Sequence, residues 1–143
     1  HFQDLLAQQG ILPMEAMSWT KKNAKSIHLG IPKEANPDEN RIALSPQAVQ
    51  LLVANGHEIL IEKSAGERAG FSDADYLLAG GQVSEDVSSI WKSDLIIKIQ
   101  APLAEEIAQM KSGKAIISCA SHQHLNGEIL DLLNSKKILT KAC

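Results

Sequence analysis

From residue 26 onward the apolar positions gather into short runs. SIHLGI, HEILIEK, DLIIKIQ, KAIISCA and KILTKA are each of strand length, and a shorter QVS lies among them. Between these runs the spacing turns helical. Val49, Leu52 and Val53 recur at i, i+3 and i+4, the spacing of one helix face. Ser45 suits the cap of that helix and Pro46 its first turn, where a missing N–H costs nothing. Asn55-Gly56 supplies a left-handed stop. Further helices are expected over DADYLLAGG, with Asp73 near its start, and over DVSSIWKS, LAEEIAQMKSG after Pro102, and LNGEILDLLNSKK. Strands alternating with helices predict an α/β fold with a parallel sheet covered on both faces. The near-continuous apolar runs LIIKI and AIISCA agree, because a strand buried on both sides need not alternate.

Residues 1–25 stand apart as an N-terminal extension, with a weakly helical LLAQQGILPMEAM broken by Gly10 and Pro13. Residues 26–143 form the regular domain. At 143 residues the chain suits one domain, able to bury about 68–70% of its unfolded surface. Few aromatics are needed, since Leu, Ile, Val and Ala fill such a core. The net charge of −3 argues against a nucleic-acid partner, which calls for a basic patch or stripe. No run reaches the length of a membrane span, and two cysteines make no disulfide framework; a cytoplasmic setting is expected. The start at His1 and the end at Cys143 suggest a fragment.

Several candidate chemistries fall away. Gly66-Glu-Arg-Ala-Gly70 has too few glycines, wrongly spaced, for a dinucleotide fingerprint, and reads as a turn before FSDADY. His122 and His124 would share a face of an extended segment, but no third metal ligand accompanies them, so no metal site is assigned. Cys119 sits in an apolar run, unlike a catalytic thiol in its cationic setting. His28 and His57 read as structural. What remains gathers at the carboxyl ends of the strands, where open α/β sheets bind ligands: Lys33, Glu34, Arg41, Lys98, Gln100 and Ser121. Lys98 and Gln100, two apart in a strand, should point to one face. With Arg41 they could line a crevice for a carboxylate or an amide, since the planar arginine fork matches a carboxylate. The plainer reading of Arg41 is a surface ion pair with Glu39, Glu34 or Asp38.

The order of four motifs carries more than any one of them. GIPKE, ENRIALSP, NGHEILIEKSAGERAGFSDADY and DLIIKIQAPLAEEI together resemble the N-terminal domain shared by alanine dehydrogenases and the alpha subunit of NAD(P) transhydrogenase. The resemblance implies a Rossmann-like unit within a two-domain subunit. A Rossmann domain bearing the glycine fingerprint would follow, with NAD(H) in the cleft between the two and held mainly by that second domain. It also implies a homo-oligomer and an isolated fragment without activity. In alanine dehydrogenases the arginine matching Arg41 holds the substrate carboxylate, a lysine stands where this chain has Gln100, and a catalytic histidine aligns with Ser121. His122 is one residue away from that position. The wording KIQAPLAEEI is similar to transhydrogenase alpha subunits, in which hydride passes from NADH to NADP⁺ held on another component, itself tied to a membrane part. That implies an NADP-binding beta component as partner and a site peripheral to a membrane complex. LLAQQGILPMEAM resembles the leader of some bacterial proteins called alanine dehydrogenases. Reversible deamination of alanine to pyruvate and ammonium is thus the alternative, and a non-catalytic binding or assembly domain a third.

Overall fold

A computed structural model describes residues 26–119 and 127–142. The expected alternation is present throughout them. Strands β1 (His28–Ile31), β2 (Glu58–Glu62), β3 (Gln82–Ser84), β4 (Leu95–Lys98), β5 (Ala115–Ser118) and β6 (Leu139–Ala142) form one sheet in the order β3-β2-β1-β4-β5-β6. Every pairing in it is parallel. The helices between them are α1 (Pro46–Ala54), α2 (Asp73–Leu78), α3 (Val87–Trp91), α4 (Ala104–Ile107) and α5 (Gly127–Ser135), with a 3₁₀ turn at Glu67–Ala69. This strand order is that of the Rossmann fold. Among the described residues no helix is long and apolar enough to cross a membrane.

The two faces of the sheet explain the unbroken apolar runs. Leu95, Ile97 and Ile99 join Leu29, Ile31, Ile59 and Ile61 in one core cluster, beneath Val49 and Leu52 of α1 and Tyr76 of α2. Ile96 and Ile116 point the other way, into a second cluster with Ile90 and Trp91 of α3, Ile107 of α4 and Leu133 of α5. Alternation is present in three dimensions; both faces are apolar, so it vanishes from the sequence. Gly30, on the second face of β1, has a specific cause. A Cβ there would lie 2.5 Å from the Ile90 carbonyl oxygen and 2.7 Å from Ser93 Oγ. The end of α3 can therefore approach β1 closely only because residue 30 has no side chain.

Local chemistry sets the helix ends. Ser45 Oγ accepts from the Ala48 N–H, and Gly56 adopts φ +91° beyond α1, as the Ser-Pro and Asn-Gly pairs predict. α2 opens with a reciprocal capping box between Ser72 and Asp75. Helix α4 is much shorter than LAEEIAQMKSG suggests. After Ile107 the amides of Gln109 and Met110 bond three residues back, to Glu106 and Ile107. Lys136 Nζ takes the carbonyls of Ile107, Ala108 and Met110 at 2.9–3.2 Å. A distant cation thus closes the helix early, by satisfying carbonyls at its C-terminal end.

Candidate functional site

β1 and β4 are neighbours from which the chain departs in opposite directions, so the sheet has its topological switch point between their carboxyl ends, the customary ligand crevice of such folds. Here that crevice is laced across by a carboxylate. Glu34, three residues past β1, accepts the Ile99 N–H at 2.9 Å on Oε2 and the Gln100 N–H at 3.1 Å on Oε1. Both amides lie just beyond β4, where ladder pairing has ended and an acceptor is needed. Lys98 Nζ lies 3.9 Å from Glu34 and 3.2 Å from Glu106 Oε1, and 5.8 Å from the Trp91 ring centroid. Glu106 also accepts the Leu103 N–H at 2.8 Å, so the lysine pins the start of α4. Burial pushes the Glu34 carboxyl upward, against the opposing pull of Lys98 and the two backbone N–H groups, and the net shift is upward.

A second carboxylate organises the outer layer. Glu39, only 5% exposed in its side chain, accepts the backbone N–H and Nε of Arg41 on Oε2, at 3.0 and 2.9 Å. Its Oε1 accepts Arg41 Nη2 at 2.9 Å and Gln100 Nε2 at 2.6 Å. The bonds from Arg41, against the opposing effect of burial, hold its pKa down at about 2. Arg68, from the 3₁₀ turn, donates to the carbonyls of Glu34 and Asn36 at 2.9 Å and fixes the loop that carries both acids.

Four of the residues singled out from sequence, Glu34, Arg41, Lys98 and Gln100, therefore belong to one assembly, in different layers. Arg41 is 60% exposed in its side chain and is paired to Glu39, one of the three ion-pair partners considered for it. Gln100 is half-buried beside it. Lys98 does not line the crevice: it is 1% exposed and faces Glu106 and Trp91. Since β4 ends at Lys98, the period of two that would put Gln100 on the same face no longer applies. Ser121 and His122 lie outside the described residues. His57 Nδ1 accepts the Ile27 N–H at 3.3 Å, and burial lowers its pKa, in keeping with a structural role. Cys119, half-buried one residue past β5, is disulfide-bonded, a correction to the expectation that the two cysteines make no disulfide.

Glu34 is a carboxyl-end candidate from sequence but without an assigned partner, Glu39 figures there only as an ion-pair partner, and Arg68 has no role. Their signal was available in principle. Acids in a loop that follows a buried parallel strand, at the centre of the sheet, stand where the next strand's terminal amides lack partners.

The comparisons with known proteins fit this geometry. The family described as "Alanine dehydrogenase/PNT, N-terminal domain" matches residues 30–143. The chain belongs to that family. Alanine dehydrogenase of Halomonas elongata is 37% identical over 109 residues, covering 73% of this chain and 29% of the relative. The NAD(P) transhydrogenase subunit alpha of Haemophilus influenzae is 39% identical over 110 residues, covering 77% and 21%. A solved L-alanine dehydrogenase superposes with a TM-score of 0.76 at 33% identity, over 81% of this chain and 32% of that one. The chain thus spans about a fifth to a third of the length of these relatives. By name all three relatives of this alanine dehydrogenase/PNT domain are oxidoreductases.

Proposed function

We propose that this domain serves an NAD(H)-dependent oxidoreductase of the transhydrogenase-alpha kind, passing hydride between NADH and NADP⁺. The observation that carries this reading is Gln100: a neutral amide stands next to Arg41, where a keto-acid enzyme of this family would place a cation. An amide both donates and accepts, which suits the carboxamide of a nicotinamide ring, whereas a lysine only donates.

The residues present fit one end of the cofactor and not the other. The β1–α1 loop, which carries the glycine fingerprint in a dinucleotide-binding domain, here holds Glu34 and Glu39. Two buried carboxylates would repel a diphosphate. That part of the nucleotide is assigned to a further domain bearing the fingerprint, consistent with the greater length of the relatives. Arg41 and Gln100 would hold the nicotinamide end, and the ring would supply or accept the hydride when bound. In this reading residues 26–143 are the N-terminal domain and residues 1–25 an extension. The partners are a second copy of the chain and an NADP-binding beta component. The complex lies in the cytoplasm, peripheral to a membrane.

One observation favours a second reading, an alanine dehydrogenase: Arg41 keeps exposed N–H groups that could take a carboxylate. The test is NADH oxidation by the protein as encoded, supplied first with pyruvate and ammonium, then with an NADP⁺ analogue and its partner component. Transfer to the analogue without pyruvate turnover is expected. Robust pyruvate turnover, abolished by Arg41→Ala, would establish the second reading instead.

A further inference from the structure

Glu39 does more than neutralise an arginine. An arginine can meet a carboxylate through its side, by Nε and one Nη, or end-on, by both Nη groups. Glu39 takes the side of Arg41, with Nε and Nη2 on separate oxygens at 2.9 Å. Left over are the two N–H of Nη1 and the second N–H of Nη2, a complete end-on fork on a side chain 60% exposed. The same Glu39 oxygen that meets Nη2 also takes Gln100 Nε2 at 2.6 Å. An ionised carboxylate is acceptor-only, so Gln100 must present its NH₂ to Glu39. Its carbonyl oxygen then faces away, and no donor among the described residues bonds to it. The orientation of this amide is thus fixed by its partner's chemistry.

We propose that Glu39 is a positioning residue that sets the polarity of the site, presenting a donor pair from Arg41 beside an acceptor from Gln100, so that it selects a ligand bearing an acceptor next to a donor and disfavours a keto acid. A primary carboxamide, with C=O and NH₂ on one carbon, has that pattern. A keto acid offers acceptors alone and would set one against the Gln100 oxygen. The choice of the nicotinamide carboxamide as natural ligand rests on the function proposed above; the polarity does not. A lysine at position 100 would reverse it, because its ammonium would offer donors both to Glu39 and to the ligand.

The test is the affinity ratio of two probes, nicotinamide and pyruvate, titrated into the protein as encoded and followed by NMR. Wild type should prefer nicotinamide. Glu39→Gln frees both partners to rotate and should cut the ratio about tenfold, whereas a merely structural role would weaken both probes alike and leave the ratio unmoved. Gln100→Lys keeps Glu39 paired and the loop folded, and should turn the preference toward pyruvate. A wild-type preference for pyruvate, or an unchanged ratio in either variant, overturns the proposal. The function can fail separately. Pyruvate turnover by a protein whose probe ratio still follows Glu39 would refute the transhydrogenase reading and leave the positioning role standing. Intact transfer to NADP⁺ with an unmoved ratio would do the reverse.

Discussion

The two ends of the sheet treat charge in opposite ways. At the carboxyl end, Glu34, Glu39, Lys98 and Glu106 are buried, and each carboxylate is tied to backbone N–H groups as well as to cations. At the amino end, charged groups ring a cavity of about 320 Å³ lined by His28, Glu58, Asp94, Lys92, Lys111 and Lys114. Its polar contacts, His28 Nδ1 to Glu58 at 2.9 Å and the Lys114–Asp94 ion pair at 2.8 Å, are held by side chains that remain substantially in contact with water. That hollow lies at the end where parallel sheets do not bind ligands. The candidate site is marked by the switch point and by the buried, backbone-anchored charges, not by concavity. Such groups cost much to desolvate, and the fold keeps them by leaving no buried side-chain N or O among the described residues without a hydrogen-bond partner.

The largest expected effect comes from removing the cation at the centre of the buried set. Lys98→Met keeps the volume and the packing on Trp91, but leaves Glu34 and Glu106 without a counter-charge. A loss of about 3 kcal/mol is expected, as for other broken buried pairs, read from the denaturation midpoint in urea. Glu106→Gln added to that variant should recover part of it, since one unpaired charge is removed. A midpoint that hardly moves in Lys98→Met would mean that the carboxyl end is no more tightly organised than the amino end.

The contrast also shows how far the residues could be read. The strands were legible because Leu95, Ile96 and Ile97 are apolar whichever face they meet, and α1 because Ser45, Pro46 and Gly56 mark its ends by local chemistry. α4 was overestimated, since what stops it is Lys136, 29 residues from Ile107 in the chain. Arg41 and Gln100 could be placed at the mouth of the crevice from the strand pattern. Glu34 could not be assigned its task, because its partners are the amides of Ile99 and Gln100, more than sixty residues away. Lys98 looked like a ligand group because lysine is rarely buried; only the positions of Glu106 and Trp91 reveal that here it is.

A smaller effect separates the two buried acids by pH. Glu39 has a folded pKa of about 2 against 4.5 for an ordinary glutamate. The unfolded chain therefore binds the extra proton first, and the stability this group confers is present above pH 4.5 and lost as pH falls toward 2. Glu34 is shifted upward by burial, so its effect has the opposite sign: it favours the fold at low pH and is lost as pH rises above 4.5. Glu39→Gln should cost roughly 2 kcal/mol at pH 6, allowing for the exposure of Arg41. The gap from wild type should narrow at pH 3. A gap that stays constant across that range would assign the cost to lost hydrogen bonds rather than to charge.

The smallest effect belongs to the amino end. Burial raises the Asp94 pKa, but the Lys114 bond and the His28 N–H outweigh it and the net shift is downward. The Lys114 and Asp94 side chains keep 29% and 33% of their exposure, so water and salt screen the pair. Lys114→Ala should therefore cost about 0.5 kcal/mol at low ionic strength, and less in 0.5 M salt. Asp94 would still accept the His28 N–H at 2.9 Å, so no buried charge is abandoned. The salt response decides the matter. A loss comparable to that of Lys98→Met and insensitive to salt would mean that the cavity rim is organised as tightly as the crevice, and burial would no longer distinguish the two ends.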